Sequence, residues 1–433
     1  MANKTGLIEK NGSLFFNGEG LGGASSAGSV SYDGDVAGAE NVGEALDSLQ
    51  TQVDSLAAST GGSTADYSEY GWYGQNYPAQ MDIIQKQLAA VPDRLSFIHI
   101  SDSHTTSTAN TKSIGYADDL LANTPADFLV HTGDMVNDSI NSNRSNILSM
   151  LYNAKTTAKK PVYIALGNHD VIDGDDNTDY FSMYFNDTTY PLAGATGYDG
   201  NAKTYYSVNI GTTAGYKFKI IVLDQYDGTT GTRTTNNAKM STTQVDWLIR
   251  ELMDAAQNYR NVAIFCHSQP GLVISKAVPV WTDEKGDPYS DGGNEAVKKV
   301  VDYFIKHTAS WTFTYDGVEF KSTDYSDSQW GPFSRYNQVL ADRKCGFIGW
   351  FCGHTHFNVA GPLDDYPDQF VVATATPYSG TGGTAGNYSP SYIPSINYVV
   401  VSPVNCTVSV LRCGEQRTVF GAKRDILTYR YRT

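Results

Sequence analysis

Past residue 66 the chain alternates between short, continuous apolar runs and longer stretches in which apolar residues recur every three or four positions. The runs at 95–100, 127–131, 162–166, 217–223 and 262–267 have the length and continuity of strands buried on both faces. Helical periodicity occupies 79–90, 113–122, 141–154 and 242–257, and an amphipathic stretch covers 294–307. The second half is richer in strands. There, 311–321 predicts a hairpin turning at Asp316-Gly317, and 347–352, 370–373, 398–401 and 407–412 continue the apolar pattern. Strand–helix alternation of this kind predicts an α/β sandwich of sheets covered by helices.

Residues 1–66 read differently. They are rich in Gly, Ser, Ala and Asn, poor in aromatics, and cannot bury much of a core alone. Within them Val42, Leu46, Leu49, Val53 and Leu56 recur at spacings of four, three, four and three, a short heptad seam with Glu44, Asp47 and Gln50 on its polar face. Ser59-Thr60-Gly61-Gly62-Ser63 then ends the helix and makes a linker. The pattern therefore divides the chain into an attachment or oligomerisation segment, 1–66, and a larger domain, 67–433. A seam this short leaves two readings open, a homo-oligomer through 42–56 or a helix packing on its own domain.

Composition narrows the function. A net charge of −15 repels nucleic acid at long range and argues against sequence-independent DNA or RNA binding. The 29 Tyr and 6 Trp serve either as strand and core filling or as stacking platforms for carbohydrate. Cys266, Cys345, Cys352, Cys406 and Cys413 match no zinc or disulfide spacing and read as buried reduced thiols, with Cys266 and Cys352 facing inward from strands. The N-terminus lacks the apolar stretch of a secretory signal, and no apolar run is long enough to insert in a membrane, so synthesis in a cytoplasm is expected.

Five short segments concentrate the chemistry, and each follows an apolar strand or ends one. They are Asp102-Ser103-His104, Gly133-Asp134, Gly167-Asn168-His169-Asp170, His267, and Gly353-His354-Thr355-His356. In an α/β sheet, loops at the carboxyl ends of strands converge on one crevice, so residues remote in sequence can meet there. Carboxylates, neutral imidazoles and an amide oxygen suit borderline divalent ions such as Mn, Fe, Zn or Ni. Of the chain's 8 His, His104, His169, His267, His354 and His356 fall inside these segments and His131 lies beside one. His99 and His131 sit within strands and read as core or supporting residues. His307 reads as a helix C-terminal cation, and Asp173, Asp175, Asp176 and Asp179 as a solvated acidic loop or an extra calcium site.

This series resembles the calcineurin-like metallophosphoesterase superfamily over roughly 95–372. The resemblance implies a four-layer α/β/β/α sandwich and a phosphoester hydrolase with two divalent metal ions. It implies that Asp102, His104 and His356 hold one ion, that Asn168, His267 and His354 hold the other, and that Asp134 bridges them. A shared anion between two cations offsets their repulsion, which suits a carboxylate at that position. His169 neighbours a ligand without being needed as one, which makes it the candidate to protonate the leaving oxygen. Asp170, Asn137 and Asp138 are the groups that could orient it.

Departures from the family bear on substrate. No Arg follows Gly133-Asp134-Met135-Val136-Asn137-Asp138, which disfavours protein phosphatase activity. The segments flanking His267 carry Tyr180, Tyr184, Tyr190, Tyr198, Trp281, Tyr289, Trp330 and Tyr336, better suited to a sugar or polyol phosphate. The stretches 30–35 and 40–49 are similar to modules of bacteriophage tail and tail-fibre proteins. That similarity implies a virion enzyme, partnered by other tail proteins, acting on a bacterial envelope phosphopolymer such as a teichoic acid. Two alternatives stand beside it: a cytosolic phosphodiesterase for nucleotides or small phosphodiesters, and a non-catalytic tail component.

Overall fold

Leu7–Lys10 (β1), Ser13–Phe16 (β2) and Glu19–Gly20 (β3) pair as an antiparallel meander. They lie in the first of two units, Met1–Ala65; the second is Asp66–Thr433. The computed structural model describes residues 7–10, 13–16, 19–20, 72–105, 108–136, 141–171, 180–185, 189–190, 192, 203–228, 239–270, 294–325, 346–354, 359–363, 365–374, 395–414 and 426–431. The heptad seam at 42–56 and the linker after it fall outside these residues.

The second unit is built on two six-stranded sheets. Leu95–Ile100 (β4), Phe128–His131 (β5) and Val162–Ile164 (β6) run parallel, and their sheet is completed by Ser395–Ser402, Thr407–Gly414 and Ile426–Arg430. The other sheet starts at an edge with Tyr206–Gly211 (β7). Lys217–Val222 (β8) and Asn261–Phe265 (β9) follow, then the later strands Phe347–Cys352 and Phe370–Ala373, with Val359–Pro362 at the far edge. In chain order the remaining strands are Thr312–Tyr315 (β10), Val318–Lys321 (β11), then β12 to β17 from Phe347–Cys352 through Val359–Pro362, Phe370–Ala373, Ser395–Ser402 and Thr407–Gly414 to Ile426–Arg430. Strands β8, β9, β12 and β14 are parallel.

Alternation along these strands sorts side chains into two cores. Phe218, Ile220 and Val222 of β8, Ala263 and Phe265 of β9, and Ile348 and Phe351 of β12 turn toward the first sheet. There Phe97 stacks on Phe128 at 4.9 Å and meets Phe265 and Phe351 edge-on at 5.4 and 5.0 Å. Aromatic pairs at such spacings and angles add to the gain from burying their area. The opposite residues, Val262, Ile264, Cys266, Phe347, Trp350 and Cys352, pack beneath helices. A register shift at Gly349 keeps β12 in phase with β9: its φ of 150° and the approach of Tyr429 Oη leave no room for a side chain.

Five α-helices are described. Trp72–Ala90 (α1), Thr108–Asn123 (α2) and Asn141–Ala158 (α3) pack with the first sheet. Thr242–Gln257 (α4) and Asn294–Ile305 (α5) pack with the second, giving four layers in the order α/β/β/α. Helix α4 shows why: Val245, Leu248, Ile249, Leu252, Ala255 and Ala256 form one buried stripe at helical spacing. Its start is set by Ser241, whose hydroxyl accepts the Gln244 N–H. No described helix is long and apolar enough to cross a membrane.

Most sequence-predicted elements reappear with ends moved by a few residues. The hairpin β10–β11 turns at Asp316 (φ 47°) and Gly317 (φ 77°), the pair of positive φ values that a tight two-residue turn requires. Strands β7 and β17 were not legible in sequence because many of their residues are partly or fully exposed and interrupt the apolar run, and β13 because it is short and carries Gly361 and Pro362. Pro362 is tolerated in β13 because that strand is a sheet edge. Cys266, Cys352, Cys406 and Cys413 are buried free thiols, as expected; Cys345 lies outside the described residues. Because Phe97 joins both sheets, Phe97→Ala is expected to cost about 3–5 kcal/mol in chemical denaturation. A loss below about 1 kcal/mol would show that the two sheets do not depend on this contact.

Candidate metal centre

The first two parallel strands end in loops that go on pairing beyond the sheet. Asp102, His104 and Thr105 N–H donate to the carbonyls of Gly133, Asp134 and Met135 at 2.9, 3.0 and 2.9 Å. This parallel course is held with Asp102 (φ 52°), His104 (φ 39°) and Asp134 (φ 51°) in left-handed backbone, where His354 (φ 70°) also lies. Asp and His tolerate that region better than most residues, and its cost is repaid by the bonds just named. Glycine permits the closest approaches. A Cβ on Gly167 would collide with the Asp134 carboxylate and main chain, and one on Gly353 with Ser101 and Asp102.

Asp134 sits at the middle of the site, 1% exposed. Its Oδ2 lies 3.2 Å from His267 Nε2 and 3.6 Å from His104 Nε2, while Oδ1 accepts the His169 N–H at 2.9 Å. The His267 ring is aimed by its Nδ1–H, which donates to Thr132 O at 2.8 Å and turns Nε2 inward. His354 Nδ1 comes within 3.3 Å of that Nε2 and 3.1 Å of Asn168 Oδ1. Asp102 accepts the His354 N–H with both oxygens, at 2.9 and 3.1 Å, and so ties the first motif to the last.

Two sets of donor atoms result. Ligand atoms of His104, Asp134 and His169 lie within 4.8 Å of one another, and so do those of Asp134, His267 and His354. Imidazole nitrogens, an amide oxygen and a buried carboxylate held this close repel unless a proton or cation lies among them. Their chemistry fits divalent metal ions. Of the sequence-derived ligand residues, Asp102, His104, Asp134, Asn168, His267 and His354 are thus brought together. His356 lies outside the described residues.

The electrostatics follow from this crowding. Burial favours neutral His267, yet the Asp134 carboxylate, by charge and hydrogen bond, holds its pKa up at about 10. Asp134 is pushed up by burial but is carried well below the carboxylate range by His267, His104 and His169. A cation entering this pair replaces the shared proton. The two strand histidines behave differently. Burial, then the His267 charge, drives His131 down to about 3, and burial, then Arg412, lowers His99 well below its ordinary value. Neutral His131 accepts the Gly133 N–H at Nδ1 and engages the Ser103 hydroxyl through Nε2. His99 contacts Thr132 Oγ1 at 3.0 Å. Both support the loops and neither reaches the donor sets.

The third motif brings a correction. Asp170 is fully buried, and its oxygens accept the main-chain N–H groups of Met135, Val136 and Gly167 at 2.8, 3.2 and 2.8 Å. It therefore brackets the second and third loops and is not the partner of the His169 ring. Asn137 and Asp138, the other candidates for that task, are outside the described residues, as is the acidic run at 173–179. Burial and the Asp134 charge raise the Asp170 pKa to about 7. The His169 ring, itself part of the first donor set, stands edge-on to His104 at 4.9 Å. Sequence reading overlooked Gln225, Tyr226 and Ser268, which border His267; the first two follow β8 at the same carboxyl edge, the one signal that could have found them.

Because Gly167 admits no Cβ beside Asp134, Gly167→Ala is expected to displace that carboxylate and lower turnover by about 100-fold. Steady-state rates of the purified variant against wild type check this, and equal rates would show that the close approach is dispensable.

Similarities to solved structures are distant. A dimetal phosphatase from Danio rerio is 13% identical, with 78% of this chain and 99% of that one covered and a TM-score of 0.46. GAP50, the anchor in the inner membrane complex of Plasmodium, is 11% identical over 78% of this chain and 88% of its own, TM-score 0.44. Purple acid phosphatase PPD1 of yellow lupin is 11% identical over 77% and 53%, TM-score 0.39. A search of curated protein sequences finds no match. The calcineurin-like phosphoesterase family matches residues 95–358, which span every motif described above, and the chain belongs to that family.

Proposed function

We propose that this metal-dependent phosphoester hydrolase works with two divalent ions, Mn, Fe, Zn or Ni, on a phosphodiester. The observation that carries the reading is the pair of donor sets sharing Asp134. Asp102, His104 and His356 would hold one ion, and Asn168, His267 and His354 the other. When bound, such ions supply Lewis acidity toward the ester and make a water molecule acidic enough to attack near neutral pH. The protein's own part is positional. Asp134 offsets the positive charge of both sites, Thr132 O aims His267, and Asp102 fixes the main chain at His354. His169, held by its main-chain bond to Asp134 and placed beside His104, delivers the proton to the leaving oxygen.

The substrate we infer is a phosphodiester-linked polymer of a bacterial surface, such as a teichoic acid, with the enzyme carried on a phage virion. Support comes from the likeness of 30–35 and 40–49 to tail modules and from a net charge unsuited to nucleic acid. The aromatic residues add none: Tyr180 and Tyr184 are buried in the core, Tyr190 packs against it, and Tyr198, Trp281, Tyr289, Trp330 and Tyr336 lie outside the described residues. Residues 1–66 would then be the attachment or oligomerising segment.

Chelation of the purified protein is expected to abolish hydrolysis of bis-p-nitrophenyl phosphate, and Mn or a similar ion to restore it. His169→Ala should lower kcat by about 10²–10⁴-fold. Equal background rates for wild type and variant would sink the catalytic reading in favour of a structural tail component. Release of soluble phosphate-bearing fragments from purified wall polymer tests the substrate; inertness there, with fast cleavage of a nucleotide, would replace it with a nucleotide phosphodiesterase. Light scattering with and without residues 1–66 is expected to show an oligomer reduced to a monomer, and an unchanged mass would remove the oligomer.

A further inference from the structure

Strand β9 ends at Phe265, and His267 lies two residues beyond, where ladder hydrogen bonds would normally stop. On the β12 side the pairing continues, because Cys266 N–H donates to Phe351 O at 3.1 Å and Gly353 N–H donates to His267 O at 2.8 Å. On the β8 side the last main-chain bond runs from Leu223 N–H to Phe265 O at 2.9 Å. Past it, a side chain takes over. Gln225 Nε2–H donates to Ser268 O at 3.0 Å, and Gln225 Oε1 accepts the Ser268 N–H at 2.6 Å. The carboxamide thus does what a neighbouring peptide would do, one residue after His267. Tyr226 adds a second grip: its hydroxyl meets Ser268 Oγ at 2.6 Å, and its ring lies 6.1 Å from the His267 ring. Gln225 and Tyr226 are 2% and 1% exposed, so these bonds compete with little water.

We propose that Gln225 and Tyr226 are positioning residues for the half of the centre that contains His267. They fix the main chain at Ser268, while Thr132 O fixes the ring, so Nε2 stays aimed between Asp134 and His354. The inference rests on the two-metal reading and adds to it a site-selective support. A metal ligand restrained at only one end loses affinity because part of the binding energy goes into ordering it. Loosening Ser268 should therefore weaken the ion held by Asn168, His267 and His354, and leave the ion held by Asp102, His104 and His356 in place.

The test uses full-length protein stripped of metal and titrated with Mn(II) by calorimetry, with Co(II) absorption as an independent readout. Wild type is expected to take two equivalents. Tyr226→Phe and Gln225→Ala should each weaken one equivalent by about 10–100-fold and spare the other, with the melting temperature of the metal-free protein unchanged. Ser268→Ala removes the same hydroxyl contact as Tyr226→Phe, so the double variant should be no worse than either single one. Should Gln225→Ala fail to fold, Tyr226→Phe and Ser268→Ala carry the test. Two wild-type equivalents retained at full affinity in these variants would overturn the clamp and leave the two-metal reading standing. Equal weakening of both equivalents together with a fallen metal-free melting temperature would also overturn it, as a purely structural role. A wild type that takes no metal would overturn both.

Discussion

A carboxylate buried to 1% exposure cannot stand alone, and the rest of the site is arranged around satisfying Asp134. One oxygen faces two imidazoles and the other takes a main-chain N–H, so three loops from separate strands are bound to one side chain. That concentration of donors explains the opposed behaviour of its neighbours. His267 is held protonated in the absence of a cation, and His131, one layer back, is held neutral by burial and by the charge on His267. A carboxylate at that position would offset the mutual repulsion of cations held by the two donor sets that share it.

Holding those loops in place has required backbone that most sequences avoid. Four residues of the site carry positive φ, and three glycines, Gly133, Gly167 and Gly353, sit where a Cβ would strike an opposing loop. Each strained residue is embedded in bonds from elsewhere: the first loop is laddered to the second, Asp102 holds His354, and Asp170 brackets the second loop to the third. Strain of this kind survives only where surrounding structure over-determines it. The two sheets supply that rigidity, packed through Phe97, Phe128, Phe265 and Phe351 just beneath the loops.

The supporting groups differ in how they act on each ligand. Thr132 works through its carbonyl and its hydroxyl at once, meeting His267 on one side and His99 on the other. Gln225 replaces a peptide where the ladder has run out. Asp170, which stands next to His169 in sequence, turns away from that ring to collect three main-chain N–H groups. Adjacency in sequence and partnership in space are different things here, because a short 3₁₀ turn over Asn168–Asp170 sends consecutive side chains in different directions.

Much of this is legible in the sequence alone. Central strands announced themselves as continuous apolar runs because both faces are buried, and helix α4 as a stripe because one face is. The residue types after those strands, Asp, His and Asn with neighbouring glycines, named the chemistry, since few other side chains offer such donors. What the chain alone could not decide was orientation. Strands β7 and β17 lack the apolar signature because much of each is open to solvent, and β13 because it is short and carries Gly361 and Pro362. The task of Asp170, the left-handed backbone at four site residues, and the grip of Gln225 and Tyr226 on Ser268 depend on which loops meet once two sheets pack. Sequence determines which donors are available; tertiary packing decides which way each one points, because a hydrogen bond needs a partner at a fixed distance and angle, and only the folded chain supplies it.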